Sequence, residues 1–320
     1  MASDQRKKFK TTQEWHDFVA LKGRSISGKE LLQIRSDCYR EIEAHRKRPL
    51  IVYATKFLDN LPQGIPNYID LSDIDGFTDL INAIKGKNLD VLLHSPGGRP
   101  DATERIVSIL RRRFSDICFL VPHSAYSAAT MLAVSGDKII LHPSATLGPI
   151  DPQINGIPAR SIKRGFENIK EKIKKEGPET LPAYIPLIEK YSIELLEMCD
   201  DSEKLAKKLV EEWLKDYMFK DEKKVNQKIK NIVNYLSDYD AHLLHARPLK
   251  VGELQRLGIK VEIADGKLTE LLWEAMILLN GFFNMSKFVK LFETSHGISW
   301  GKQFQQVMIP IQPLEKTKTP

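Results

Sequence analysis

The sequence predicts an α/β fold built on a mostly parallel sheet. Three observations carry this expectation. Short apolar runs recur at residues 50–54, 89–93, 117–121 and 138–141. Stripes with helical spacing separate them, and polar Gly- or Ser-rich segments follow two of them. Apolar runs without alternation read as strands buried on both faces, and strand–helix–strand order implies right-handed crossovers.

The elements follow in order. Residues 1–48 are polar and predict a helical extension around 30–46, packed on the main domain or on a partner subunit. Leu50-Ile51-Val52-Tyr53-Ala54 opens the core, and a loop rich in Pro, Gly and Asn runs to about residue 69. Phe77, Leu80, Ile81 and Ile84 mark a helix over 75–84. After the strand at 89–93, Asp101 or Thr103 is placed to cap a helix whose stripe is Ile106, Val107, Leu110 and Phe114. The strand at 117–121 leads to a helix from Ser127 to Val134, then to the strand at 138–141. Residues 142–158 read as a loop and 161–175 as a basic helix. Pro178, Pro182 and Pro186 bracket a linker. Two further stripes, Ile188-Tyr191-Leu195-Met198 and Leu205-Leu209-Trp213-Tyr217, read as core faces of a helical insertion at about 180–235. A short helix at 252–257, a stop at Gly258 and a strand at 259–263 close a core domain spanning 49–265. Residues 266–320 then form a helical segment and a mobile tail, polar and Pro-rich beyond Gly297.

Composition bounds the function. The chain has 320 residues, 42% hydrophobic and 28% charged, enough for a large core. A net charge of +6 without an aromatic-interleaved basic motif argues against specific nucleic-acid binding. Cys38, Cys118 and Cys199 are far apart and odd in number, so no disulfide framework or CxxC metal spacing exists; a reducing, cytoplasmic setting is expected. The longest apolar segment, 271–283, carries Glu274 and Asn280 and is too short to span a bilayer. No cofactor is expected, since GxGxxG and a Walker lysine are both missing. Nor is a metal: His94, His123, His242 and His245 form no HxxxH set, and His242/His245 is a bare HxxH pair.

The chemistry-bearing segments sit at the carboxyl ends of the second and third strands, where open α/β folds bind ligands. The first reads His94-Ser95-Pro96-Gly97-Gly98 and the second Ser124-Ala125-Tyr126-Ser127-Ala128-Ala129-Thr130. Ser127, at the first turn of a helix, has the exposure and dipole that a nucleophile needs. Gly97 and Gly98 can turn N–H groups toward a developing oxyanion. The plainer alternative is a helix cap and a turn, and the residues alone leave the two balanced.

These motifs, with Leu147-Gly148-Pro149-Ile150-Asp151-Pro152-Gln153 and the late segment His245-Ala246-Arg247-Pro248-Leu249, resemble the serine dehydrogenase proteinase family. That family is a branch of the Clp protease, signal peptide peptidase A and crotonase superfamily. The match covers roughly residues 50–265. It implies a ClpP/crotonase-like spiral of ββα units with added helical segments, Ser127 as nucleophile, an oxyanion hole at Gly97 and Gly98, and a homo-oligomer. Three positions depart from the family pattern: Ala129 replaces glycine, Ser95 replaces threonine, and Tyr126 replaces methionine. Ser95, Tyr126 and Ala128 are expected to line the substrate channel.

The base is not carried by these motifs. The position of the Clp histidine falls in Gly148-Pro149-Ile150-Asp151, which has no imidazole. Relatives that use a lysine on a later helix point to Lys163, with Lys170 next; His142 serves only if its loop folds back. A basic lysine must be neutral, so burial must lower its pKa from about 10.4. Asp151 is placed to orient the base or to cap a turn. The reading is a serine peptidase acting on unfolded or extended polypeptides through Ser127 and Lys163. The alternative is a catalytically inactive scaffold or interaction module, with the helical insertion as its arm.

Overall fold

The computed structural model describes residues 6–23, 26–59, 61 and 64–304. The chain opens with α1 (Thr12–Lys22) and α2 (Gly28–Arg46). β1 (Leu50–Thr55), α3 (Asp73–Ala83), β2 (Asn88–His94), α4 (Pro100–Arg113) and β3 (Asp116–Val121) follow. Next come β4 (Ser124–Ala125), α5 (Ala128–Val134), β5 (Lys138–Leu141) and β6 (Thr146–Leu147). A small hairpin of β7 (Gln153–Ile154) and β8 (Ile157–Pro158) leads into α6 (Ala159–Glu176), α7 (Leu181–Ile188) and α8 (Ile193–Trp213). The chain returns through α9 (Asn226–Ser237), α10 (Tyr239–His242), α11 (Val251–Arg256) and β9 (Val261–Ile263). It ends with α12 (Gly266–Met285), β10 (Phe288–Thr294) and β11 (Ser299–Gln303).

The main sheet has seven strands in the order β11-β10-β1-β2-β3-β5-β9. β1, β2, β3, β5 and β9 are parallel, while β10 and β11 add antiparallel at one edge. The mixed α/β architecture expected from the sequence is therefore present. β1, β2, β3 and β5 bury both faces, as their apolar runs require. In β1, Ile51 and Tyr53 join one core with Phe77, Leu110, Leu132 and Leu209, under α3, α4, α5 and α8. Leu50, Val52 and Ala54 join the other with Tyr39, Ile42, Leu272 and Leu279, under α2 and α12. The apolar segment at 271–283 is thus a core helix, and among the described residues no helix is long and apolar enough to cross a membrane.

Four local expectations are corrected. Residues 288–303, expected as helix and tail, form two strands; the end of that tail, from 305, lies outside the described residues. α4 starts at Pro100, which needs no N–H partner in a first turn, and neither Asp101 nor Thr103 caps it. The proline-bracketed linker contains α7, with Pro182 in its first turn and Pro186 in its last. The stripe from Ile188 to Met198 is only partly core: α7 has no buried residue and Met198 is exposed. Tyr191 and Leu195 instead pack on a small separate cluster around Ile162 and Cys199.

β10 was obscured in the sequence by Lys290 and Glu293, which point to opposite faces and are each buried with partners. On one face, Lys290 Nζ lies 2.8 Å from Asp73 Oδ1 and 2.8 Å from Asp70 Oδ2, and Tyr53 Oη donates to Asp73 at 2.9 Å. On the other, Arg35 forks onto Glu293 at 2.7 and 2.9 Å, with Tyr39 and Ser299 hydroxyls donating to the same carboxylate. Removing one member of such a pair leaves an unpaired charge in the core. Glu293→Ala is therefore expected to lower stability in urea unfolding by about 3–5 kcal/mol. A loss below about 1 kcal/mol, the range of an exposed pair, would show that the contact is not holding α2 to the sheet.

Candidate active site

β2 and β3 run side by side with Leu92 opposite Leu120, so both following segments emerge at one end of the sheet. They remain paired there: Ser95 N–H donates to Ser124 O, and Tyr126 N–H donates to Ser95 O, each at 3.1 Å. Gly97 then crosses the Tyr126–Ala128 turn so closely that a Cβ would lie 2.4 Å from Tyr126 O and 2.8 Å from Ser127 Cβ. Its φ of +97° adds a second reason for glycine. Gly98 meets the neighbouring Ile69 backbone, where a Cβ would lie 2.3 Å from the carbonyl oxygen.

Ser127 stands at the N-cap of α5, but its hydroxyl makes no capping bond. Its backbone has φ +51° and ψ −122°, a conformation strained for an L-residue. Strain of this kind at a sharp strand-to-helix turn presents a side chain outward. The helix-cap alternative for Ser127 does not describe this arrangement.

Two backbone donors remain available beside it. Ile69 pairs with Gly97 O and, through its own carbonyl, with Arg99 N–H, so the Gly98 N–H faces the other way. Neither Gly98 N–H nor Ala128 N–H has an acceptor among the described residues. Gly97 N–H, expected as an oxyanion donor, is instead taken by Ser95 Oγ at 3.2 Å. Ser95 is fully buried and so does not line the channel. Tyr126 also packs away from it, with its ring against Gly148 and its hydroxyl 3.0 Å from Thr146 Oγ1. Ala128 does line the cleft.

That cleft has a volume of about 1020 Å³ and is lined by Ser127, Gly97, Gly98, Phe57, Met131, Ile150, Leu205 and His245, among others. His245 lines the cleft with Ser127, although the sequence placed it only in the HxxH pair and the matched late segment. Its Nδ1 is buried 3.0 Å from Asp151 Oδ2. The contact is close without being aligned as a hydrogen bond, and both Asp151 oxygens lack a donor. Asp151 itself is buried, held by Ile150 N–H donating to Leu236 O at 2.8 Å. Thr130 ties this loop to α5, donating to Ala125 O and Gly148 O while accepting from Gly148 N–H at 3.1 Å. The Leu249 N–H to Leu147 O bond, 2.8 Å, brings in the segment that carries His245. His242 turns elsewhere, its Nε2 2.6 Å from Tyr235 O.

The three bases expected from sequence lie apart from this cleft lining. Lys163 Nζ is 2.5 Å from Asp200 Oδ1 and 2.9 Å from Glu203 Oε2, both on α8. Burial alone would lower its pKa, but the two carboxylates outweigh burial and hold it above the ordinary lysine value. A proton-accepting lysine needs the opposite environment. Lys170 is exposed on α6. His142 lies against α12, stacked on Trp273 at 5.4 Å, with Nδ1 2.7 Å from Ser144 Oγ.

His94, at the end of β2, backs the cleft wall. Its ring lies 4.6 Å from that of Phe57 and 5.7 Å from that of His123. Neither ring nitrogen has a hydrogen-bond partner among the described residues, and burial, with His123 adding to it, pushes its pKa down to about 3. Unfolded, it takes a proton near 6.5; folded, it does not until about pH 3. The unfolded state therefore binds more protons in that window, and folding stability falls as pH drops through it. His94→Leu is expected to reduce the slope between pH 6.5 and 4 by up to about 1.4 kcal/mol per unit. Identical slopes for variant and parent, from urea midpoints across that range, would remove His94 as the cause.

A parallel α/β core presenting a strained serine against a Gly-Gly turn is the framework of a ClpP-like protein. The chain belongs to the ClpP-like SDH-type serine proteinase family, whose model matches residues 18–282. It is similar to uncharacterized protein MJ1495 of Methanocaldococcus jannaschii, 32% identical over 236 residues, 71% of each chain. It is also 33% identical to uncharacterized protein MJ0137 of the same organism over 153 residues, 47% of this chain and 54% of that protein. Among solved structures, a mutant of the 1510-N membrane-bound stomatin-specific protease matches 62% of this chain and 75% of its own at 18% identity, TM-score 0.36. The catalytic domain of Plasmodium falciparum ClpP matches 62% and 82% at 17% identity, TM-score 0.36.

Proposed function

We propose that the protein is a serine peptidase whose nucleophile, base and orienting acid are Ser127, His245 and Asp151. One observation carries this reading: Ser127 and His245 line the same cleft, with a buried carboxylate directly behind the imidazole. Nδ1 is the buried edge of the His245 ring, which leaves Nε2 as the edge available to the cleft. Ser127 Oγ attacks a peptide carbonyl while His245 Nε2 takes its proton. Asp151 accepts from Nδ1–H, fixing the tautomer and stabilising the imidazolium. The misaligned contact tightens as the ring recruits its proton, a change expected between a free site and a loaded one.

The tetrahedral oxyanion is received by the N–H groups of Gly98 and Ala128, both without another acceptor among the described residues. His245 then returns the proton to the leaving amine, the C–N bond breaks, and water hydrolyses the acyl-enzyme by the same route in reverse. A polypeptide substrate is supported by the open cleft of about 1020 Å³ in which Ser127 and His245 both stand. Lys163 in this scheme is a structural cation that joins α6 to α8.

Hydrolysis of a fluorescently labelled unfolded polypeptide tests the assignment. Ser127→Ala and His245→Ala are each expected to lower kcat by about 10³-fold or more, and Asp151→Asn by about 10²–10⁴-fold. Lys163→Met is expected to stay within about threefold of the parent, since only an exposed-type ion pair is lost. The opposite pattern, a folded Lys163→Met variant without activity beside an active His245→Ala variant, would return the base to Lys163.

A further inference from the structure

The stripe Leu205-Leu209-Trp213-Tyr217 does not run wholly into the core. Leu209 and Trp213 are buried, but Leu205 is 39% exposed. It lines the cleft that holds Ser127 and His245, together with its neighbours Ser202 and Ala206 on α8. The helix is fixed there from two sides. Lys163 of α6 bonds Asp200 and Glu203, just before Leu205 in the chain. Just after it, Ala206, Leu209 and Val210 enter the core that contains Met131 and Leu132 of α5. A leucine kept partly bare inside a cleft, on a helix held this firmly, is placed to touch what the cleft receives.

Other apolar groups share that lining. Met131 stands one helical turn after Ser127, its N–H donating to Ser127 O at 3.1 Å. Ile150 directly precedes Asp151, and Met131, Ile150 and Ala206 are all buried beneath the cleft surface. The charges nearby are already matched. Among the described lining residues only Arg99, Asp101 and His245 can carry one. Arg99 forks onto Asp101 at 3.0 and 2.6 Å, and His245 stands against Asp151. On α8 around Leu205, Lys204 lies 3.5 Å from Asp201 and Lys208 lies 4.0 Å from Glu212. Nothing in this part of the cleft calls for a charged group on the ligand.

We propose that Leu205 is a specificity-determining residue: with Met131 and Ile150 it holds an aliphatic side chain of the polypeptide beside the carbonyl presented to Ser127. This deepens the peptidase reading and rests on it. The driving force is burial. An aliphatic group entering this space covers the bare part of Leu205 and leaves water, whereas Asp or Lys would give up hydration without gaining a partner. Such a subsite discriminates sharply against charge and less sharply among aliphatic side chains. The helical insertion is then a part of the site, choosing the residue at which a chain is held.

Peptide binding to the full chain carrying Ser127→Ala tests this without turnover. Three fluorescein-labelled decapeptides of Gly and Ser, with a single central Leu, Asp or Lys, are titrated by fluorescence anisotropy. The Leu peptide is expected to bind about tenfold more tightly than the other two, or better. Adding Leu205→Glu, a change at an exposed position, is expected to weaken the Leu peptide about tenfold and to make the Lys peptide the tightest of the three. A gain for one peptide cannot come from misfolding. Equal binding of the three peptides by the Ser127→Ala chain, or binding of none, would overturn the proposal. So would an unchanged ranking after Leu205→Glu. Hydrolysis by the parent chain tells the subsite from the activity. Cleavage of all three peptides at equal rates would keep the peptidase and remove the subsite. The expected ranking of affinities, beside a parent chain that cleaves none of them, would keep the subsite and remove the peptidase.

Discussion

The site depends on one steric fact, the passage of the Gly97 backbone across the Tyr126–Ala128 turn at a separation no side chain could share. That approach follows from the pairing of β2 with β3 and from the two hydrogen bonds between Ser95 and the Ser124–Tyr126 segment. It places the Gly98 and Ala128 N–H groups, neither with an acceptor among the described residues, side by side and leaves Ser127 its positive φ. The register of two buried strands thereby becomes the geometry of a proposed oxyanion hole. Thr130 extends the same lock to the loop that holds Asp151, using one hydroxyl as donor and acceptor at once.

β10 plays the corresponding part for the rest of the fold. Its buried Lys290 and Glu293 anchor opposite layers, one through Asp73 of α3 and the other through Arg35 of α2. Each charge is surrounded by further donors or acceptors, as a desolvated pair requires. The amino-terminal extension is therefore joined to the last strands of the chain, and neither layer closes without the other.

Much of this was legible in the sequence where a local signal sufficed. The strands of the parallel core announce themselves because burial on both faces leaves an unbroken apolar run, as in Ile117-Cys118-Phe119-Leu120-Val121. Gly97 and Gly98 were legible because their backbone conformations restrict residue type, and Ser127 because it follows a buried strand at the start of a helix, in a motif that resembles the family's. β10 was not, since Lys290 and Glu293 look like surface residues until their partners, remote in sequence, are placed. Lys163 failed for the same reason in reverse: its neighbours Ile162 and Ala159 suggest burial, while the carboxylates that charge it come from α8. His245 had only a weak signal, a histidine directly before Ala-Arg-Pro at the close of the insertion, and nothing local to link it to Asp151.

The separation of Ser127 from His245 along the chain has a consequence for the life of the molecule. A ribosome releases Ser127, the proposed nucleophile, with both proposed oxyanion donors and Asp151, well before it reaches His245. Between them lies the entire helical insertion, whose α9 must already be docked for Leu236 to hold Ile150. On the proposed assignment, a growing chain therefore carries Ser127 without its base until the whole insertion has been made.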